Sequence, residues 1–246
     1  MSALWATFNR ELRAYFLSPL AYLVLIFFLF ANGFIFSVIM SFLNDPRTPA
    51  TARPMDTMFN TIFFWIILLF VCMVLTMRLL SEELRSGSIE VLMTAPITES
   101  QVVAGKYLAA LAFFVALWLP TLVYAVIIAH YSKVDWGPIA GGYFGILCIG
   151  ALFLSIGLFA SSLTRSQLVA AIITFAMLMV VWAIGLLANL VNNETAKQVF
   201  GYVNLLDHMD EFAKGIVDSR RLVYYLSVIF FFLFLTSRAL EDRKWR

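Results

Sequence analysis

The sequence predicts an all-α polytopic membrane protein with six transmembrane helices, and three observations predict it. Of 246 residues, 62% are hydrophobic and 13% charged, with a mean hydropathy of +0.90, whereas a soluble domain carries about 25% charged residues. Six uncharged runs fall at about residues 20–43, 58–77, 107–129, 141–163, 168–191 and 222–237. At about 1.5 Å rise per residue, each spans or nearly spans about 30 Å of hydrocarbon. Between the second and third runs lies a charged, punctuated block from Arg78 to Pro96, the pattern of a surface held by something outside the membrane. Six spans place both termini on one side.

Residues 1–17 read as an interfacial helix. Leu4, Trp5, Phe8, Leu12, Tyr15 and Phe16 recur at three- and four-residue steps, with Asn9, Arg10 and Arg13 on the other face, and Ser18-Pro19 ends the segment. The first apolar run is too long for a signal-peptide core and is expected to remain as an anchor. Loop one, residues 44–57, contains Pro46, Pro49 and Pro54, which prevent a continuous helix and predict a turn outside the membrane. With the N-terminus placed inside, the inner segments hold ten Lys and Arg and the outer segments seven. The excess favours this orientation, although Arg220 and Arg221 abut the sixth span on its outer side.

In the block after the second span, Gly87 allows a break and Ser88 can cap a new short helix. Glu90 sits near that helix's positive end, and Pro96 stops it. Thr98 and Gln101 then make a capping box that opens the helix running through Lys106 into span three. Lys106 reads as an interfacial lysine, since Gly105-Lys106 lacks the surroundings of a phosphate-binding loop. Ile89, Val91 and Leu92 supply an apolar ridge, while Glu82, Glu83, Arg85 and Glu90 supply charges that would fix the register of a partner. An ordinary solvated loop with acids at its helix starts is the bland alternative.

The stretch Glu82-Glu83-Leu-Arg85-Ser-Gly87-Ser88-Ile-Glu90-Val-Leu92-Met-Thr-Ala-Pro96 resembles the E-E-x-x-x-G-[ST]-x-E-x-L-L-x-x-P signature of ABC-2-type permeases, with Met93 where a second Leu is usual. The resemblance covers essentially the whole chain, as a single permease domain over residues 1–246. The pattern Phe212-x-x-Gly215-Ile-x-Asp218 with Tyr225-Leu-Ser is similar to the gliding-motility-type branch. It implies a non-catalytic membrane subunit of an ATP-driven exporter in a bacterial cytoplasmic membrane, with both termini cytoplasmic. It further implies that residues 78–106 form a coupling region whose short helix docks into a separate ABC ATPase subunit, that residues 1–17 form an elbow helix framing that dock, and that helices in residues 192–221 lid the exit. No cofactor binds the chain itself, ATP and magnesium residing on the ATPase. The implied partners are that ATPase, a second permease copy, membrane lipids and, in some members, an auxiliary external subunit, with no nucleic acid. Glu82, Glu83, Arg85, Gly87, Ser88, Glu90, Leu92 and Pro96 are the expected coupling residues. Arg165, in the short connection Ser161 to Gln167, marks a second and smaller contact.

The loop of residues 192–221 is long for an idle connection. Val199, Val203, Leu206, Met209, Ala213 and Ile216 step by threes and fours, which predicts amphipathic pieces with Gly201 and Gly215 as breaks. His208 and Glu211 share a face but lack the further ligands of a metal site, and read as a surface helix. Asn193-Glu194-Thr195 is a glycosylation sequon that would matter only in a eukaryotic secretory system. Cys72 and Cys148 lie inside apolar runs and form no disulfide framework.

The runs carry no Asp, Glu, Lys, Arg or His in their interiors, the groups that proton relays and charged filters require. Asn32, Ser155, Thr174 and Asn189 are their notable polar groups and are expected to hydrogen-bond between helices. An aromatic content of 16% fits both interfacial belts and a path for lipid-like or amphipathic cargo. Two rival readings remain: a polytopic membrane enzyme, for which His130 and His208 are the only histidines, and an ion channel not driven by ATP.

Overall fold

The computed structural model describes residues 3–45, 54–88, 98–131, 135–188 and 200–244. Six helical segments among them are long and apolar enough to cross a membrane: Pro19–Leu43, Ile62–Ser86, Glu99–Tyr131, Trp136–Leu163, Gln167–Gly185 and Ser219–Asp242. Helix α1 (Ala3–Leu17) precedes α2 (Pro19–Leu43), which begins with the proline at its first position, where a missing N–H costs no hydrogen bond. Then come α3 (Pro54–Asn60), α4 (Ile62–Thr76), α5 (Ser81–Ser86), α6 (Glu99–Trp118), α7 (Leu122–Tyr131), α8 (Trp136–Leu163), α9 (Gln167–Ala188), α10 (Leu205–Ala213) and α11 (Ser219–Lys244). No strand occurs among the described residues.

Helix α8 is the centre of the bundle. It is the most deeply buried span and packs against α3, α4, α6, α9, α10 and α11, while α2 and α11 are the most exposed. The spans alternate in direction, so α1 and α5 share one end of the bundle and α3 and α10 share the other. At the first end α1 lies along α6, and at the other α10 packs on α3, α8 and α9. An aromatic cluster fills the interior, with Phe28 edge-on to Trp118 at 4.9 Å and Phe64 edge-on to Trp65 at 5.8 Å.

The structure departs from the sequence-based expectations at several points. The second apolar run is divided: residues 58–60 close α3, and Thr61 adopts an extended conformation before α4. Pro54 starts a helix rather than extending the turn, as a proline in a first turn can. The third run is also divided, because a 3-10 turn at Leu119–Thr121, with Pro120 inside it, separates α6 from α7. Thr121 Oγ1 lies 2.7 Å from the carbonyl of Trp118 and 3.1 Å from the Tyr143 hydroxyl. Helix α11 begins three residues ahead of the expected span, taking Arg220 and Arg221 into its first turn.

Two of the polar groups expected to bond between helices bond within their own. Asn32 Nδ2 donates to the Phe28 carbonyl at 2.9 Å, and Ser155 Oγ donates to the Leu152 carbonyl at 2.7 Å. Thr174 is buried with no hydrogen-bond partner among the described residues, and Asn189 lies outside them. Two tyrosines bond between helices: the Tyr15 hydroxyl donates to the Leu75 carbonyl at 2.7 Å and the Tyr107 hydroxyl to the Ala151 carbonyl at 3.1 Å. Cys72 is buried in α4 and Cys148 half-buried in α8.

Candidate functional site at the α1 and α5 end

Helix α4 runs through a turn at residues 77–80 into α5. Ser161, at the end of α8, clamps that corner: its Oγ accepts from the backbone N–H groups of Leu80 and Ser81, each at 3.1 Å, and lies 3.3 Å from the Met77 carbonyl. The serine satisfies donors that a helix start leaves open. Arg78 reaches back to α1, donating to Ser18 Oγ at 3.0 Å with its guanidinium 5.4 Å from the centre of the Tyr15 ring.

Gly87 ends α5 in the left-handed conformation, with φ of 71°. That backbone geometry favours glycine and is the break expected from the sequence. Glu82, Arg85 and Ser86 of α5 and the neighbouring Ser88 are exposed, as is Arg165 between α8 and α9. Glu90, Leu92 and Pro96, with Ile89 and Val91, lie outside the described residues. The chain is described again from Thr98, where the Thr98–Gln101 capping box forms and the Thr98 N–H donates to Gln101 Oε1 at 3.5 Å.

Glu83 differs from its exposed neighbours. Its Oε1 lies 2.9 Å from Lys106 Nζ and 2.9 Å from Arg10 Nη2. The same two cations hold Glu11 Oε1, at 3.0 and 2.8 Å. Lys106 is not the interfacial lysine expected from the sequence, since its side chain is only 1% exposed. One buried ammonium thus joins carboxylates from α1 and α5 to the first turns of α6. Burial alone would raise the Glu11 pKa, but the Lys106 charge, with hydrogen bonds from Arg10 and Lys106, brings it below the usual carboxylate value. Helices α1 and α6 approach closely here: a Cβ on Gly105 would lie 3.0 Å from the Thr7 side chain and 3.1 Å from the Leu4 carbonyl oxygen.

The buried face of α1 is narrower than its apolar residues suggested. Thr7 and Tyr15 are buried, whereas Trp5 and Phe16 are exposed. The sequence carries one signal for this: Glu11 interrupts the apolar stripe of Leu4, Phe8 and Tyr15, and an acid on a buried stripe demands a cation. Arg10, Glu11, Lys106 and Ser161 are the site residues that sequence reasoning passed over.

At the far end of the bundle, His208 is fully buried in α10 rather than on a surface helix. Its Nδ1 lies 3.0 Å from the Tyr225 hydroxyl and its Nε2 is 2.8 Å from Arg221 Nη1. Arg221 in turn grips both carboxylate oxygens of Glu211, at 3.0 and 3.1 Å. Burial, reinforced by the Arg221 charge, lowers the His208 pKa to about 4, so the ring is neutral at neutral pH. His208 and Glu211 therefore share an arginine, and no group of three or more His, Cys, Asp or Glu among the described residues could hold a metal ion.

The model of the family described as ABC-2 family transporter protein matches residues 20–239, which takes in the punctuated block and all but the outermost residues of the six spans. The chain belongs to the ABC-2 transporter family. No curated protein matches it. As an ABC-2 family protein it is a multi-pass membrane subunit, and membership implies pairing with an ABC ATPase subunit. The matched residues include α5 and both short connections at this end of the bundle.

Proposed function

We propose that this ABC-2 permease is the transport subunit of an ATP-driven exporter and that the α1 and α5 end faces the cytoplasm, where a separate ATPase subunit binds ATP and magnesium and pushes on the segment after α4. The single observation that carries this reading is the placement of exposed charges, Glu82 and Arg85, on a short helix that the left-handed Gly87 terminates, within a chain matched to a transporter family. A partner cleft meets these charges at the surface, while Glu83 and Ser161 hold the helix against the bundle behind them. Residues 89–97, with Glu90, Leu92 and Pro96, continue the docking element, and Arg165 makes the smaller contact. Two permease copies pair with two ATPase subunits in the bacterial cytoplasmic membrane. The cargo class that best suits a chain with 16% aromatic residues and largely apolar spans is lipid-like or amphipathic.

The test is coupling in the purified complex. Replacing Glu82 and Arg85 by Ala removes charges at a partner's rim and weakens ATPase co-purification, by about 1 kcal/mol of association free energy or more where the pair is desolvated. Gly87→Val, which forces a branched residue into φ of 71°, leaves assembly but separates ATP hydrolysis from transport. Maleimide labelling of introduced cysteines places positions 87 and 164 on the cytoplasmic side and positions 50 and 207 outside. Assembly and transport indistinguishable from the parent in all variants, or the inverted labelling pattern, overturns the reading.

A further inference from the structure

We propose that Lys106 is a positioning residue at the centre of a charge-locked unit, in which its buried ammonium makes α1, α5 and the start of α6 move as one body. This rests on the reading that α5 receives force from an ATPase, and deepens it by naming the residues that carry the force inward. Along the chain, Glu83 and Lys106 are 23 positions apart. Through space they are 2.9 Å apart. A push on α5 therefore has a short route into the third span that does not follow the chain.

The composition of the unit explains why it holds. Two carboxylates, Glu11 and Glu83, face two cations, Arg10 and Lys106, so the cluster is neutral overall and each ion has an opposite charge within 3.0 Å. A fully buried ammonium is tolerated only with such pairing. Each carboxylate comes from a different helix and uses Oε1 for both cations, so losing Glu83 frees α5, whereas losing Glu11 cuts α1 from Lys106 and leaves it tied to α5 through Arg10. The remaining oxygen of Glu83 is buried with no partner among the described residues, which directs that carboxylate toward the lock and not toward a surface partner. The Tyr15 bond to the Leu75 carbonyl and the contact of Gly105 with Thr7 keep α1 in register with α4 and α6.

The lock is tested with spin-label pairs among positions 13, 86 and 108, in α1, α5 and α6, in the permease bound to its ATPase, with and without ATP and vanadate. In the parent the three mutual distances stay constant on nucleotide trapping. Glu83→Gln releases position 86 from the other two, Arg10→Met combined with Glu11→Gln releases position 13 alone, and Lys106→Met releases position 108 while Arg10 keeps positions 13 and 86 together. Distances that change in the parent, or variants that all keep the parent's distances, overturn the proposal. Failure of the parent to bind or respond to the ATPase is a separate result that strikes the exporter reading instead. The lock is then read in the permease alone: amides of α1 exchange faster in Glu11→Gln than in the parent, with those of α10 unchanged, and equal protection of α1 in the two overturns it.

Discussion

At the α1 end of the bundle, four ionised side chains tie three helices together around a buried lysine. At the α10 end, a neutral histidine, an arginine and one glutamate tie α10 to α11, and the rest of the attachment is close packing. A Cβ on Gly141 of α8 would lie 2.3 Å from the carbonyl oxygen of Phe212 in α10, so that helix sits directly on the α8 backbone. The difference teaches that one end is held by charge and the other by fit. Charge pairing keeps α1, α5 and α6 in register, with single hydrogen bonds at Ser161 and Tyr107 joining α5 and α6 to α8, whereas backbone contact on α8 leaves α10 little freedom. Under the proposed exporter reading, the end that receives movement is the one built from charge.

The largest effect expected from breaking this contrast is at Lys106. Lys106→Met strands two half-buried carboxylates with only Arg10 between them, and removing one member of a buried pair costs about 3–5 kcal/mol. Thermal unfolding in detergent, together with hydrogen exchange, places the loss in α1 and α5 rather than in α10. Next comes pH. His208 has a folded pKa of about 4, below its ordinary 6.5, so the unfolded chain binds the extra proton between those values. Stability is fully present above pH 6.5 and falls as pH is lowered toward 4, by about 3 kcal/mol in total. Glu11, also lowered, keeps its contribution above the ordinary carboxylate range and loses it only as pH falls through its folded value. Hydrogen exchange at pH 5 therefore shows α10 loosened and α1 still protected; the reverse order breaks the comparison. The smallest effect is Gly141→Ala, which forces the α10 backbone away from α8 at about 1–3 kcal/mol. It raises exchange in residues 205–213 and leaves α1 at its parent rate.

Much of this architecture is legible in the sequence, because spans and caps are local. Ser18-Pro19 marks the start of α2, the Thr98–Gln101 box marks α6, and Gly87 marks the break after α5, each from residues within one helical turn. Lys106 and His208 were not legible, for a shared reason. Periodicity gives the face a residue occupies on its own helix, but not what covers that face. The carboxylates that bury Lys106 lie 95 and 23 residues away in sequence. His208 is enclosed because α10 is packed against α3, α8 and α9 and bonded to α11, so positions that look solvated from their polarity are inside. Pro120 was visible in the sequence, yet the uninterrupted apolar run around it hid the helix break.

The two cysteines acquire a practical meaning from where they sit. Cys72 is sealed in α4 and Cys148 is half-buried in α8, both within membrane spans where no water is at hand to support a thiolate, the species that reacts with alkylating probes. The unmodified permease is thus close to silent toward aqueous thiol reagents. Reporter cysteines can be introduced singly at either end without first stripping out the native pair and disturbing the α4 and α8 packing in which it is embedded.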